Sequence, residues 1–194
     1  MSTAEDKLKN QFGVSSLKGF AIDRYPLAVC AAGALIAYLE QTQHTGLGNI
    51  CSISRIDENK FVWMDKFTFR NLEVFQSNAG KDGVSLVDTI DRCCSPMGSR
   101  MLREWLAMPL MDIDGLNARY DIVGLLRDNE ELRSGLRDCI GGVGDLERII
   151  SRAATGRILP REVRQLGRSL EQMQPIVSLC SNTGVASLDK LLSG

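Results

Sequence analysis

Hydrophobic residues in the second half of the chain recur every three or four positions, which is the period of an α-helix. A turn or a residue that favours a helix start separates each apolar series from the next. The predicted helices cover residues 96–108, 113–127, 129–140, 145–154 and from about 160 onward. We therefore expect a mainly α fold class, with a multi-helical domain as its largest part.

The first third of the chain contains one long apolar segment, residues 26–42. Pro26 suits the first turn of a helix, and the residues that follow are apolar on nearly every side, which predicts burial on most sides. The small residues 31–34 would let another element approach the helix backbone closely. Residues 8–20 look irregular, and the two glycines after the helix indicate a domain boundary near residue 48.

A short β-rich region follows this boundary. Residues 50–56 (ICSISRI) and 60–65 (KFVWMD) are separated by the polar residues 57–59. Alternation of apolar and polar residues in the first run, followed by a short turn, predicts a small β-hairpin near residues 50–66. The next run, FTFRNLEVF, either extends the hairpin or bends into a short turn.

Two helix starts carry residues that cap the first turn. Ser95 followed by Pro96 predicts a helix with serine as its N-cap and proline at its first position. Ser85 and Asp88 resemble a capping box in which aspartate replaces glutamate.

The helix that begins at Pro96 has two distinct faces. Arg100 and Glu104 are spaced to form an ion pair on one face. The other face is apolar and carries Met97, Met101, Trp105 and Met108.

The last long helix carries an apolar seam in which the residues are alternately three and four positions apart. The seam consists of Val163, Leu166, Leu170, Met173 and Val177. Little chain follows it that could cover these side chains. We expect the covering helix to belong to a part of the protein outside this sequence.

Composition and charge narrow the function classes. The chain has 194 residues, of which 44% are hydrophobic and 24% charged, with a net charge of −1. This balance is typical of a globular domain and gives no overall electrostatic field for nucleic acid or an anionic membrane. The longest apolar run, residues 27–39, is too short to span a bilayer, and the charged N-terminus has no signal-peptide pattern. We expect a soluble, cytoplasmic protein.

Cysteine and histidine usage does not favour a metal site. The six cysteines are Cys30, Cys51, Cys93, Cys94, Cys139 and Cys180. They form no C-x-x-C pair, and His44 is the single histidine, so the spacing of zinc ligands is absent. We expect free thiols in a reducing compartment.

Other candidates for chemistry are better explained by helix ends. The glycine-rich run 141–145 lacks the lysine of a phosphate-binding loop, and Asp145 would repel an anion, so we expect a turn that this aspartate caps. The acid pairs Asp112 with Asp114 and Glu130 with Glu131 begin predicted helices, where they stabilise the helix dipole. The sequence thus predicts no catalytic, cofactor-binding or metal-binding residue.

The arginines are the unusual feature. Residues 92–168 contain 13 arginines and no lysine, together with 11 acids. Arg161, Arg164 and Arg168 share one helix face, and a basic stripe of this kind can follow a phosphate backbone. The alternative is that the arginines pair with carboxylates between packed helices. The sequence leaves both possibilities open.

Several motifs resemble those of a known family, in the family's order and with natural spacings. They are AAGALIAYLEQTQ, DKFTFRNLE at 65–73, SLVDTIDRCCSPMGSRMLREWLAMPL at 85–110, RYDIV at 119–123, DLERI at 145–149 with Arg152, and LPRE at 159–162. This set is similar to the MutS family of DNA mismatch repair proteins. Ile90, Cys93 and Ser95 depart from the family pattern by substitutions that packing or capping can accommodate.

The resemblance implies a fold and a role. Residues 1–48 correspond to the end of the family's connector domain, and residues 49–194 to the first half of its core, or lever, domain. The mismatch-reading domain with its Phe-x-Glu motif, the clamp and the ATPase domain have no counterpart in this sequence. A full-length member uses ATP and Mg²⁺ and has mismatched double-stranded DNA, a MutL-type protein and a second MutS subunit as partners.

The function implied for this chain is a mechanical coupler between ATPase and clamp that binds no ATP and reads no mismatch. We expect no enzyme activity and an isolated chain that is monomeric or weakly self-associating. The alternative from another class is a stand-alone helical module that binds a protein partner through the apolar seam. A small enzyme would need a buried carboxylate with a raised pKa in a cleft.

Overall fold

The structure is a computed structural model that describes residues 2–42, 47–48, 50–56, 58–181 and 183–193. It consists of two compact units, Met1–Asp57 and Glu58–Gly194. Helices dominate both units, which confirms the mainly α fold class.

The first unit contains two packed helices. They are α1 (Ser2–Phe12) and α2 (Pro26–Thr42), joined through a 3-10 turn at Leu17–Phe20. The two helices meet at Gly33, where an added Cβ would lie 2.6 Å from the Cβ of Ala4 and 2.8 Å from its carbonyl oxygen. The prediction that residues 31–34 allow close approach of another element is confirmed at this glycine.

The sequence-based view of this region was wrong in two respects. Residues 8–12, which belong to the stretch predicted to be irregular, form the end of helix α1. Helix α2 is not buried on most sides, because only its Val29, Gly33 and Ile36 face is buried and Leu27 is 85% exposed. The reason is that α1 covers a single stripe of α2, so an apolar composition on all sides does not ensure burial on all sides.

The predicted β-hairpin near residues 50–66 is also wrong, since the described residues of this region form no strand. Gln11 of α1 donates hydrogen bonds from its side-chain amide to the carbonyl oxygens of Leu47 and Ile50, at 2.7 and 2.9 Å. The second run forms an isolated antiparallel bridge between Phe61 and Leu110. Backbone groups of Ile50 and Phe61 therefore have partners outside a hairpin. The run FTFRNLEVF forms a short helix followed by a turn.

The second unit is a series of helices joined by short connections. They are α3 (Lys66–Asn71), α4 (Leu86–Ile90), α5 (Pro96–Ala107), α6 (Ile113–Asp128), α7 (Glu130–Gly141), α8 (Leu146–Ala154), α9 (Pro160–Cys180) and α10 (Ala186–Ser193). The five helices predicted from periodicity, α5 to α9, are confirmed, and each helix end that was predicted lies within one or two residues of the observed end. Two 3-10 turns, Glu58–Lys60 and Gly80–Asp82, lie between the early elements.

Capping residues fix where these helices start. The Ser95 hydroxyl accepts a hydrogen bond from the Gly98 N–H, and Pro96 occupies the first helical position. Ser85 and Asp88 form the expected capping box, in which each side chain accepts from the other residue's backbone N–H. Both predicted helix starts are confirmed.

One hydrophobic cluster of the second unit is built by α6, α7, α9 and α10. Its buried residues are Leu132, Leu136, Cys180 and Leu188, with partly buried side chains such as Ile122 and Ile176 packed around them. The cluster leaves exposed the side of α9 that carries Val163, Leu170 and Val177. Side chains on the exposed surfaces of α9 are therefore candidates for a functional role.

Candidate functional site

Helix α9 packs into the second unit through one face. Ser169 is 1% exposed, and its hydroxyl accepts a hydrogen bond of 2.9 Å from the Gly144 N–H. Cys180 is buried at the end of the same face, and α7, α8 and α10 all contact the helix. Because this face of α9 is buried, the side chains that point to solvent are those on its other faces.

The apolar seam of α9 is exposed. Val163, Leu170, Met173 and Val177 are 41–55% exposed, and Leu166 is partly buried. At 100° per residue the five seam positions fall within an arc of about 80°. An apolar stripe of this length is typical of a helix that packs against another helix.

The arginine face of α9, which we define as Arg161, Arg164 and Arg168, lies on the other side of the helix. The three positions fall within an arc of about 60° whose centre is about 170° from that of the seam. All three side chains are exposed. None of them makes an ion pair within the described ranges.

Most other arginines of the helical unit are engaged within the fold. Arg100 of α5 donates two hydrogen bonds of 2.7 and 2.8 Å to the carboxylate of Asp145, and a third of 3.1 Å from Nε to Glu147. The predicted Arg100–Glu104 pair is therefore wrong. Arg100 instead forms a bidentate pair with Asp145, a geometry that adds energy and specificity, whereas pairs within a helix typically contribute only about 0.2–0.5 kcal/mol.

The Arg100 pair changes the acidity of its partner. The hydrogen bonds from the Arg100 guanidinium lower the pKa of Asp145 to about 2. Asp145 is also the N-cap of α8, where it accepts from the Arg148 N–H at 3.3 Å. One carboxylate thus starts α8 and ties it to α5, which confirms the expected capping turn at the glycine-rich run.

Further arginines join neighbouring elements. The Arg119 guanidinium lies 3.6 Å from the centre of the Trp105 ring. Arg152 of α8 pairs with Glu162 in the first turn of α9. Arg133 donates to the carbonyl oxygens of Leu126 and Arg127, at 2.9 and 3.1 Å.

The acidic residues considered for acid–base chemistry lie at the N-terminal ends of helices. Asp112 caps α6 by accepting from the Gly115 N–H, and Asp114 lies in the first turn of that helix. Glu130 and Glu131 lie in the first turn of α7. His44 lies outside the described residues.

The thiols of the six cysteines are all free. Burial raises the pKa of Cys180, and burial followed by the nearby Asp91 raises that of Cys93. Both thiols are therefore less nucleophilic at neutral pH than a free cysteine. In the ranges that the structure describes, no group of three or more ligating side chains could hold a metal ion.

The RNLE part of the motif at 65–73 shapes a loop beside an open cavity of about 460 Å³. Glu73 adopts a left-handed backbone (φ 50°), and its carboxylate accepts from the Asn78 N–H at 3.0 Å. Lys66, Arg70 and Phe75 line the cavity. None of the described residues that line it is a carboxylate or a histidine, so these residues offer no acid–base pair.

Models of two domains of one protein family match this chain. The model of MutS domain III matches residues 67–193, and the model of MutS domain II matches residues 1–51. The chain belongs to the MutS family.

Curated members of the MutS family match along nearly the whole chain. The DNA mismatch repair protein MutS of Parabacteroides distasonis is 43% identical over 190 residues, covering 98% of this chain and 22% of that protein. The MutS proteins of Christiangramia forsetii and Flavobacterium psychrophilum are 44% and 43% identical over 182 and 176 residues. These matches cover 92% and 91% of the chain, and 21% and 20% of the relatives. The chain thus spans about a fifth of the length of these relatives.

Membership of the MutS family also accounts for the motifs met in the sequence. The 65–73 motif forms α3 and the Glu73 turn, and the DLERI motif supplies both Asp145 and Glu147, the two acids that bind Arg100. Sequence reasoning missed this contact because its partners are 45 and 47 residues apart. In the described part of this MutS-family chain, no helix has the length and apolar character that crossing a bilayer requires.

Proposed function

We propose that this chain is part of a DNA mismatch repair protein that recognises mismatched DNA in an ATP-dependent way. Within that protein it acts as a structural lever that couples the state of the ATPase to the DNA clamp. The observation that carries the proposal is a match to MutS domain III over a helical unit whose longest described helix presents an uncovered apolar seam.

The proposal assigns the parts of the chain as follows. Residues 1–48 end the connector domain, and residues 49–194 form the first half of the core domain. ATP, Mg²⁺, mismatched duplex DNA, a MutL-type protein and a second MutS subunit are ligands and partners of the full-length protein. In this proposal the chain contributes no catalytic residue. The full-length protein is cytoplasmic.

Contacts between distant helices support a lever. Arg100 ties α5 to the start of α8, and Arg152 ties α8 to the start of α9. Ser169 then links α9 to the turn before α8. A displacement of one helix is passed to the next through such bonded contacts, because packed helices shift as units rather than deform.

The isolated chain provides a first test. We expect no ATP hydrolysis above background and no preference for a G·T duplex over a matched duplex of the same sequence. Competition binding with the two duplexes and a phosphate-release assay measure these two properties. Hydrolysis by the chain, or a tenfold preference for the mismatch, would contradict the proposal.

A stand-alone helical module remains the second candidate, favoured by the exposed seam of α9. Sequencing the source reading frame on both sides of this segment separates the two. A downstream phosphate loop and an upstream Phe-x-Glu motif support the lever. An in-frame stop just after residue 194 supports the module, whose partner would bind the seam.

A further inference from the structure

The structure divides the 13 arginines of residues 92–168 into two groups. One group binds carboxylates, backbone carbonyls or an aromatic ring, as Arg100, Arg133 and Arg119 do. The arginine face of α9 belongs to the other group, whose side chains are exposed and make no ion pair among the described residues. Pairing between packed helices explains the first group but not the arginine face.

Carboxylates near the arginine face do not neutralise it. Glu162 adjoins Arg161, but it accepts from the Leu159 N–H at 2.9 Å and pairs with Arg152. These contacts, the backbone hydrogen bond foremost, lower the pKa of Glu162, so it stays ionised and engaged. Glu171 is the remaining acid on this side, three residues after Arg168, while the exposed Arg157 adds a cation just before the helix. The local charge is therefore positive although the whole chain carries −1.

The chemistry of the face fits phosphate groups rather than bases. Guanidinium groups bind phosphate oxygens in a fixed, forked geometry. Helix α9 contains no aromatic residue, so single-stranded bases have nothing to stack on. Arg161 and Arg168 are seven residues apart, or about 10.5 Å along the axis. One strand of duplex DNA presents a phosphate about every 3.4 Å of its axis, which leaves room for three contacts.

We propose that the arginine face of α9 binds the phosphate backbone of duplex DNA without reading sequence or mismatch. The inference rests on the proposed function, since a role in mismatch repair brings duplex DNA to the chain. It gives the lever its own contact with the duplex. This contact needs neither base readout nor the apolar seam, which lies on the opposite side of the helix.

Salt dependence of binding tests the proposal. Fluorescence anisotropy of a labelled duplex is measured with the 194-residue chain between about 50 and 200 mM salt. Three neutralised phosphates predict a slope of log K against log salt of about −2.7, because each contributes about −0.9. The triple variant R161Q/R164Q/R168Q should bring this slope close to zero, whereas R161K/R164K/R168K should keep most of it.

A matched control removes the same charge elsewhere. K18Q/R24Q/K190Q replaces three exposed cations that make no ion pair within the described ranges, and it should bind as the unchanged chain does. Far-UV circular dichroism checks that each variant is folded. Matched and mismatched duplexes should bind equally, and single-stranded DNA, polyglutamate and anionic vesicles more weakly.

Several outcomes would overturn the inference. They are no duplex binding at the lowest salt, equal slopes for the glutamine variant and the control, or tighter binding of polyglutamate or vesicles than of duplex. A preference for the mismatched duplex that the glutamine variant retains would arise outside the arginine face, and would instead contradict the proposed function. The two failures are therefore distinguishable in one set of titrations.

Discussion

At the scale of single residues, Gly33 and Asp145 each determine how two helices pack against each other. Gly33 lets α1 and α2 approach until backbone meets backbone, and no side chain would fit there without displacement. Asp145 accepts from both the Arg100 guanidinium and the Arg148 N–H, so one carboxylate serves two helices. Each contact leads to a prediction.

Replacing Gly33 with alanine should destabilise the first unit. The added Cβ would lie 2.6–2.8 Å from atoms of Ala4, and overpacking typically costs about 1–3 kcal/mol. Alanine also favours the helix by about 1 kcal/mol relative to glycine. Over most of its range the overpacking cost is larger than this gain. Amide hydrogen exchange in α2 measures the effect. Gly19→Ala is the control, since its Cβ would meet nothing within 4 Å. Equal protection in the two variants would contradict the packing described.

The Arg100–Asp145 pair predicts a pH dependence of stability. The pKa of Asp145 is lowered to about 2 in the folded state, below the unfolded value of about 3.9. The stabilisation is therefore complete above the unfolded pKa and is lost as the pH falls through about 2.

Asp145→Asn keeps a side chain that can cap α8 but removes the charge. We expect the difference in free energy of unfolding between the unchanged chain and this variant to be constant near neutral pH. It should shrink between about pH 4 and pH 2. Urea unfolding at each pH measures it. A difference that does not vary with pH would show that the ion pair contributes nothing.

At the scale of elements, helices were predictable and their long-range partners were not. Periodicity and the caps at Ser85 and Ser95 are local signals, so the positions of α4 to α9 followed from the sequence. The hairpin failed because Ile50, at the start of the alternating run, accepts a hydrogen bond from Gln11, and Phe61 of the second run bridges Leu110; both partners are far away in sequence. Contacts of this kind depend on which segments meet in space, a choice that local propensity does not determine.

The candidate site divides in the same way. The sequence placed the seam and the arginine face on α9, because helical spacing alone determines which residues share a face. It could not decide which arginines find carboxylates. That depended on Asp145 and Glu147 lying beside α5 in the fold.

The buried hydroxyl of Ser169 gives a prediction for α9. Removing it in Ser169→Ala would leave the Gly144 N–H without its acceptor, which typically costs about 1–3 kcal/mol. Ser178→Ala changes an exposed serine of the same helix and should cost less than about 0.5 kcal/mol. Urea unfolding followed by tryptophan fluorescence measures both. A similar effect from the two substitutions would show that the hydrogen bond adds nothing.

At the scale of the whole molecule, the exposed seam predicts weak self-association of the isolated chain. Leu170→Lys with Val177→Lys should abolish it, because a charged seam cannot be desolvated without a partner for the charge. Folding stability should change little, since both positions are exposed. Glu171→Gln with Ser178→Lys changes the net charge by the same amount at two exposed positions about 100–120° from the centre of the seam, and should self-associate like the unchanged chain. Sedimentation velocity over a concentration series compares the three, and equal behaviour would contradict this role for the seam.

Under the proposed function, this chain transmits the state of the ATPase to the DNA clamp. We would place it in the MutS protein of Parabacteroides distasonis in place of the segment it matches, and measure the affinity for mismatched duplex with and without ATP. Gly167→Ala and Gly167→Pro then provide a matched pair in α9, at a position where an added Cβ meets nothing within 4 Å. Proline in a helix interior removes a backbone hydrogen bond and kinks or breaks the helix, at a cost of about 3 kcal/mol. We predict that the alanine variant keeps the ATP-dependent change in DNA affinity. The proline variant should lose that change while still hydrolysing ATP and binding the mismatch. An undiminished ATP effect in the proline variant would contradict the lever.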